Sequence, residues 1–230
     1  MTPGEARSSV SSRVEQLCLA CAHSVAVDGG SVALVSAQGS RVVLAATDGL
    51  GSEIEDAQIT LGEGPYVDAA TSLAPVLVPN LADPGAEGNH RWPFFAKQAE
   101  TLGVSALFAF PIRVSTLSVG TLGLYREEAG ALGTPELGGV LETLDEIGRT
   151  LLDLETWDDD PRGSPDAEQN GGTTVASTAQ LHQAAGMVMI QLNVTILEAM
   201  ALLRATAFTE GTHVTSIAHQ IVNRRRRFGN

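Results

Sequence analysis

The sequence predicts an α+β protein: an antiparallel sheet covered by helices, followed by a C-terminal three-helix bundle. Three observations lead there. Short β-favouring runs alternate with amphipathic helical stretches up to residue 155. Residues 156–176, TWDDDPRGSPDAEQNGGTTVA, then lose almost all large apolar side chains and read as a flexible acidic linker. Beyond it, three apolar helical patterns follow in quick succession, separated by turn signals.

The first element is a helix over 9–27, where Val14, Leu17, Cys18, Cys21, Ala22 and Val25 recur at spacings of three and four. Asp28-Gly29-Gly30 is its expected stop. Strands are predicted at Ser31–Ser36 and Arg41–Ala46, joined by a turn through Ala37-Gln38-Gly39-Ser40. Thr47-Asp48-Gly49-Leu50-Gly51 reads as a break after the second strand. Gly62-Glu63-Gly64-Pro65 is a permissive turn with proline suited to a first helical position. A short strand at Val76–Val78, a helix over 92–102 and strands at Ala106–Val114 and Ser118–Tyr125 complete the sheet.

The helix from Pro135 to Glu155 carries a repeat of seven. Leu137, Leu144 and Leu151 form one row, and Val140, Ile147 and Leu154 a second, offset by three. That is a coiled-coil seam. It is equally the stripe of one helix packed on its own sheet, with Leu141 and Leu152 widening it.

The C-terminal helices are placed from about Thr178 to Leu192, from Thr195 to a stop at Gly211, and from between Thr212 and Thr215 into Arg224–Arg227. Thr195 and Glu198 are spaced as a capping box at the second helix.

Charge is divided unevenly. The chain carries −13 overall, yet residues 173–230 hold five arginines and two glutamates, a net of +3, which leaves −16 on residues 1–172. The acidic part repels phosphate and the basic end attracts it. Arg224-Arg225-Arg226-Arg227 and Arg204 supply positive charge, and Gln183, Gln191 and Asn193 are polar groups able to read bases. On a continued helix the four arginines would spread over all faces.

Catalytic chemistry finds no support. Cys18 and Cys21 sit three apart on one helix face, without further zinc ligands or a strand–helix redox context, and read as buried structural thiols. Gly62-Glu63-Gly64-Pro65 lacks the Lys-Ser/Thr ending of a phosphate loop. We expect no enzyme activity, no metal and no cofactor. No apolar run is long enough to cross a membrane and the N-terminus lacks a signal-peptide core, so a soluble cytoplasmic protein is expected.

Gln183-Ala184-Ala185-Gly186-Met187-Val188-Met189, Glu198-Ala199, Leu203-Arg204-Ala205, Ala207, Ile217-Ala218 and Ile221-Val222 resemble the ANTAR domain, a three-helix RNA-binding domain of bacterial transcription antiterminators. The match covers 180–228 within a domain assigned to 177–228. Ala185 stands where many relatives carry a lysine. Residues 12–155 resemble a GAF sensory domain of the kind joined to ANTAR in actinobacterial regulators. The resemblance rests on Asp28-Gly29-Gly30, Leu61-Gly62-Glu63-Gly64-Pro65, Arg91-Trp92-Pro93-Phe94, Gly103-Val104, Phe110-Pro111-Ile112 and Gly120-Thr121-Leu122-Gly123-Leu124-Tyr125. Tyr66 stands where such proteins often have a cysteine.

The resemblance implies an antiterminator that binds paired RNA hairpins in nascent leader transcripts under control of the GAF-like domain. Its RNA-binding residues would be Arg204, Arg224, Arg225, Arg226, Arg227, Gln183, Gln191 and Asn193. Paired hairpins imply a homodimer, for which the seam at 137–154 is the candidate. A small-molecule ligand or a regulatory kinase are candidate inputs. Rival readings are a DNA-binding regulator using a helix-turn-helix, and a sensory or scaffold protein with a protein-binding helical tail.

Overall fold

The structure, a computed structural model, describes residues 3–35, 41–83, 91–114, 117–152, 173–210 and 212–228. The chain divides into two compact units, Met1–Gln58 with Glu63–Trp157, and Ile59–Gly62 with Asp158–Asn230.

The first unit is built on a five-stranded antiparallel sheet in the order β2-β1-β5-β4-β3. Its strands are β1 (Gly29–Val35), β2 (Arg41–Ala46), β3 (Val76–Val78), β4 (Ala106–Val114) and β5 (Leu117–Arg126). On one face, Val32, Leu34, Phe108, Phe110, Ile112, Leu122 and Leu124 pack against helices α1 (Pro3–Ser24) and α5 (Thr134–Leu152). The alternate residues of the same strands turn to the other face, as the period of two requires. There lie α2 (Gly49–Leu61) and α3 (Pro65–Ser72), with α4 (Pro93–Thr101) between β3 and β4 in sequence.

Several boundaries depart from the sequence reading. Helix α1 stops at Ser24, because Ala26 takes the left-handed conformation (φ 50°) and the Val27 amide donates back to the Ala22 carbonyl. Gly29 and Gly30 do not stop it. They belong to β1, where a side chain on Gly30 would run into the backbone of Gly123. Helix α2 lies where a break was expected. Asp48 is its cap, its Oδ1 accepting from the Gly51 amide at 2.7 Å. Gly49 and Gly51 in the first turn mask that signal in the sequence. The expected turn through residues 37–40 falls outside the described residues.

The seven-residue repeat follows α5's packing on its own sheet. Val140, Ile147 and Leu151 are buried in the sheet core, and Leu137 and Leu144 pack against it half-buried. Leu154 falls outside the described residues. Leu141 and Leu152, about 60% exposed, are the large apolar side chains this helix leaves in solvent.

The second unit carries three mutually packed helices, α6 (Thr173–Leu192), α7 (Ile196–Glu210) and α8 (Val214–Val222). Helix α6 starts at Thr173, earlier than read. The Thr-Thr-Val run there has weak helix propensity and resembles the preceding loop. The remainder of the expected linker, 156–172, lies outside the described residues. Leu181, Ala184, Ala185, Val188, Ala199, Leu203, Ala207, Val214, Ile217, Ala218 and Ile221 are buried. Alanine at five of these positions lets the helix axes approach closely. The capping box forms: the Thr195 amide donates to Glu198 Oε2 at 2.7 Å and the Glu198 amide to Thr195 Oγ1 at 3.3 Å.

Arg41 and Glu55 form the first unit's buried ion pair, at 3.1 Å with side chains 8% and 0% exposed. Removing one partner strands the other charge. Glu55→Ala should therefore cost about 3–5 kcal/mol in urea unfolding, and the apolar pair Arg41→Met with Glu55→Leu should recover most of that loss.

Candidate functional site

Two places in the chain gather polar chemistry: the inner sheet face of the first unit and the C-terminal turn of the second.

On the inner face, strand pairing sets Ser31 beside Gly123 and Gly123 beside Ala109. Three small residues in a row across β1, β5 and β4 leave a hollow, and the Tyr66 ring fills it. Tyr66 is fully buried, and a side chain at Gly123 would collide with its ring. Gly64, with φ 137°, permits the turn that delivers it. Every polar group of Tyr66 is engaged. Its amide donates to Gln58 Oε1 at 2.8 Å, its carbonyl accepts from Arg41 Nη1 at 2.8 Å, and its hydroxyl donates to the Leu124 carbonyl at 3.4 Å. Burial pushes its hydroxyl pKa well above the ordinary value. Arg41 also reaches both Glu55 oxygens and Thr121 Oγ1, while Ser31 Oγ donates to Glu55 Oε1. Among the described residues, the Arg41 Nε is buried without a partner.

The thiols lie on the opposite face. Both cysteines are buried, and burial, reinforced by Cys21, Asp48 and Glu15, pushes Cys18 up to about 12. Such a thiol is a poor nucleophile at neutral pH. Among the described residues no group of three metal-binding side chains comes together, and no helix is long and apolar enough to cross a membrane.

Glu63 has a structural role. Its Oε1 accepts from the amides of Phe94 and Phe95 at 2.8 and 2.9 Å and caps α4. Trp92, buried at the start of that helix, donates from Nε1 to Asp68 at 3.0 Å.

In the second unit, the four arginines do not continue a helix. Helix α8 ends at Val222, and Arg224 takes the left-handed conformation with φ 57°. The Arg224 amide then donates to the Ile221 carbonyl at 2.9 Å and the Arg225 amide to the Gln220 carbonyl at 2.8 Å. These two bonds make a Schellman turn, whose left-handed position is usually glycine. Here an arginine occupies it.

The turn folds Arg224–Phe228 back beside α6. Arg226 donates to both carboxylate oxygens of Glu210 and stands over the Phe228 ring, 5.9 Å from its centre. The Phe228 amide donates to Gln191 Oε1 at 3.0 Å. Between these groups lies an open groove of about 490 Å³, with Met187 and Ile221 among its lining and Arg224 and Arg227 at it as well. Arg224, Arg225 and Arg227 are exposed; Arg226 is half-buried.

The structure thus brings Gln191, Arg224, Arg226 and Arg227 to one groove. Arg225 is in the same turn. Gln183 is exposed on α6, and Arg204 is half-buried in the middle of α7. Asn193 has a backbone reason to be there. It takes the left-handed conformation (φ 53°) at the end of α6, with the Val194 amide bonded back to Met189. Ala185 is fully buried. Sequence reading missed Glu210 as a member of this group, because sixteen residues separate it from Arg226.

Among solved structures, the chain is similar to a domain described as part of a two-component sensor histidine kinase protein from Sinorhizobium meliloti 1021, at 19% identity and TM-score 0.51, covering 63% of this chain and 92% of that one. It is also similar to the GAF domain region of a membrane protein from Geobacter sulfurreducens PCA, at 15% identity and TM-score 0.51, covering 65% and 97%. No family model and no curated protein matches the sequence. The first unit has the GAF fold, an antiparallel five-stranded sheet with helices on both faces.

Glu210 is held below its ordinary value of 4.5 by the hydrogen bond from Arg226, aided by that arginine's charge. A lowered carboxylate pKa means that the Glu210–Arg226 contact stabilises the folded unit above the ordinary value and is lost as pH falls through the lowered one. A carboxyl carbon-13 titration should show Glu210 titrating below 4.5. Arg226→Gln should move it back toward that value.

Proposed function

We propose that the chain is an RNA-binding transcription antiterminator, in which the GAF-fold unit is the sensor and the C-terminal three-helix bundle is an ANTAR-like RNA-binding domain. It binds paired hairpins in nascent leader transcripts and keeps a terminator from forming. The protein is not an enzyme in this reading, and it acts in the cytoplasm.

The observation that carries the reading is the basic turn. Three exposed arginines, Arg224, Arg225 and Arg227, are displayed together within residues 173–230, a stretch of net charge +3, although the rest of the chain is strongly acidic. Phosphate recognition requires such a display. The spacing of Ala184, Gly186, Met189, Ala199, Leu203, Arg204, Ala207 and Ala218 supports the ANTAR assignment.

Two refinements follow for the sensor and for assembly. Tyr66 and the Arg41–Glu55 pair fill the inner sheet face, so a ligand entering there would have to displace Tyr66. A homodimer matches the paired hairpins. Since Val140, Ile147 and Leu151 are buried in the core of their own unit, Leu141 and Leu152 are the side chains of that helix left for a second copy.

The test measures binding of the full chain to hairpin pairs from leader RNAs of its own genome and to duplex DNA of equal length. The RNA should bind more tightly. Arg225→Ala with Arg227→Ala should weaken RNA binding at least tenfold and reduce the slope of log affinity against log salt by about two. Preference for duplex DNA, or an unchanged salt slope, would contradict the proposal.

A further inference from the structure

Beyond the phosphate contacts, and resting on the RNA-binding reading, we propose that the groove beside Phe228 takes one unpaired nucleobase, stacked on the phenyl ring and flanked by phosphates on Arg224 and Arg227.

A phenylalanine serving only to cover the helices would sink into the core. The Phe228 ring is half-buried instead, and three contacts fix it where it is. Its own amide is tied to Gln191, the Arg226 guanidinium stands over it, and Glu210 holds that guanidinium in turn. A rigid aromatic ring at an open groove among cations is what stacking of a splayed base needs, since every base has a π-face and a phosphate on either side.

Only a left-handed residue at 224 closes the turn that carries Phe228 back to Gln191. Glycine would do this without steric penalty, and the chain uses arginine. The side chain at 224 is therefore explained by what it reaches and not by the turn. Along with Arg227 it lines the groove, whose volume of about 490 Å³ has room for one base and its sugar.

Roles divide accordingly. Phe228 stacks the base. Gln191 uses Oε1 on the Phe228 amide, so what it adds to the groove is the donor end of its amide, suited to an acceptor on a base edge. Arg226 is a positioning residue: its guanidinium is committed to Glu210 and to the ring.

The experiment compares two RNA probes by fluorescence anisotropy on the full chain. One is a pool of hairpins with randomised loops. The other is the same pool with abasic units throughout the loop, so that charge and backbone are unchanged. The wild type should prefer the base-containing pool by about tenfold. Phe228→Ala should bring that ratio close to one, and Phe228→Trp should restore it. Glu210→Gln, which loosens Arg226, should reduce the ratio about threefold. Arg224→Gly keeps the turn and should weaken binding to both pools alike. Thermal melts of each variant separate these effects from loss of folding. Equal binding of both pools by the wild type, or an undiminished ratio in Phe228→Ala, overturns the base site while leaving RNA binding standing. If the wild type binds neither pool, the RNA-binding reading itself fails.

Discussion

Glu55 is a carboxylate with no access to water, and the first unit is arranged around the guanidinium that neutralises it. Arg41 comes from the edge strand β2 and Glu55 from α2, so the pair ties an edge to a covering helix. The same guanidinium donates to the Tyr66 carbonyl and to Thr121 on β5. A buried ion pair tolerates little misplacement, because desolvation is offset only by good geometry. The register of β2, the start of α3 and the packing of α2 are consequently linked through one side chain. Tyr66 follows from that linkage. Held by its backbone at Arg41 and Gln58, it puts its ring onto the one row of the sheet where Ser31, Gly123 and Ala109 leave space.

The second unit handles charge in the opposite manner. Its core is alanine and aliphatic, and Arg224, Arg225 and Arg227 stand exposed at its periphery. The Glu210–Arg226 contact is solvent-accessible, where ion pairs add little stability. Its consequence is geometric: it fixes the direction of one guanidinium and, through it, of Phe228. One unit buries an ion pair and gains a determined interior. The other exposes one and gains a determined surface.

Helix ends decide much of what the molecule displays. Ala26, Asn193 and Arg224 each take the left-handed conformation just past a helix, and each reverses the chain with a bond back into the last turn. Only Asn193 is a residue type that announces this in a sequence. At Ala26 and Arg224 the turn is set by the tertiary contacts on either side, which is why the sequence placed one helix end too late at a pair of glycines and ran another through four arginines.

The sequence by itself determined the α+β plan of the first unit, most strand positions, the apolar faces of the last three helices, the Thr195–Glu198 cap and the segregation of charge. These are readable because they depend on periodicity and on neighbours within four residues. It left open whether the repeat over 137–154 faced a sheet or a partner, because both need the same stripe; the structure buries Val140, Ile147 and Leu151 against the sheet. It hid α2, whose cap Asp48 is followed by two glycines. The hollow filled by Tyr66, the Arg41–Glu55 pair and the grouping of Gln191, Glu210, Arg226 and Phe228 belong to tertiary structure alone. Each joins residues too far apart in the chain for any local pattern to register, and only folding brings their atoms within hydrogen-bonding distance.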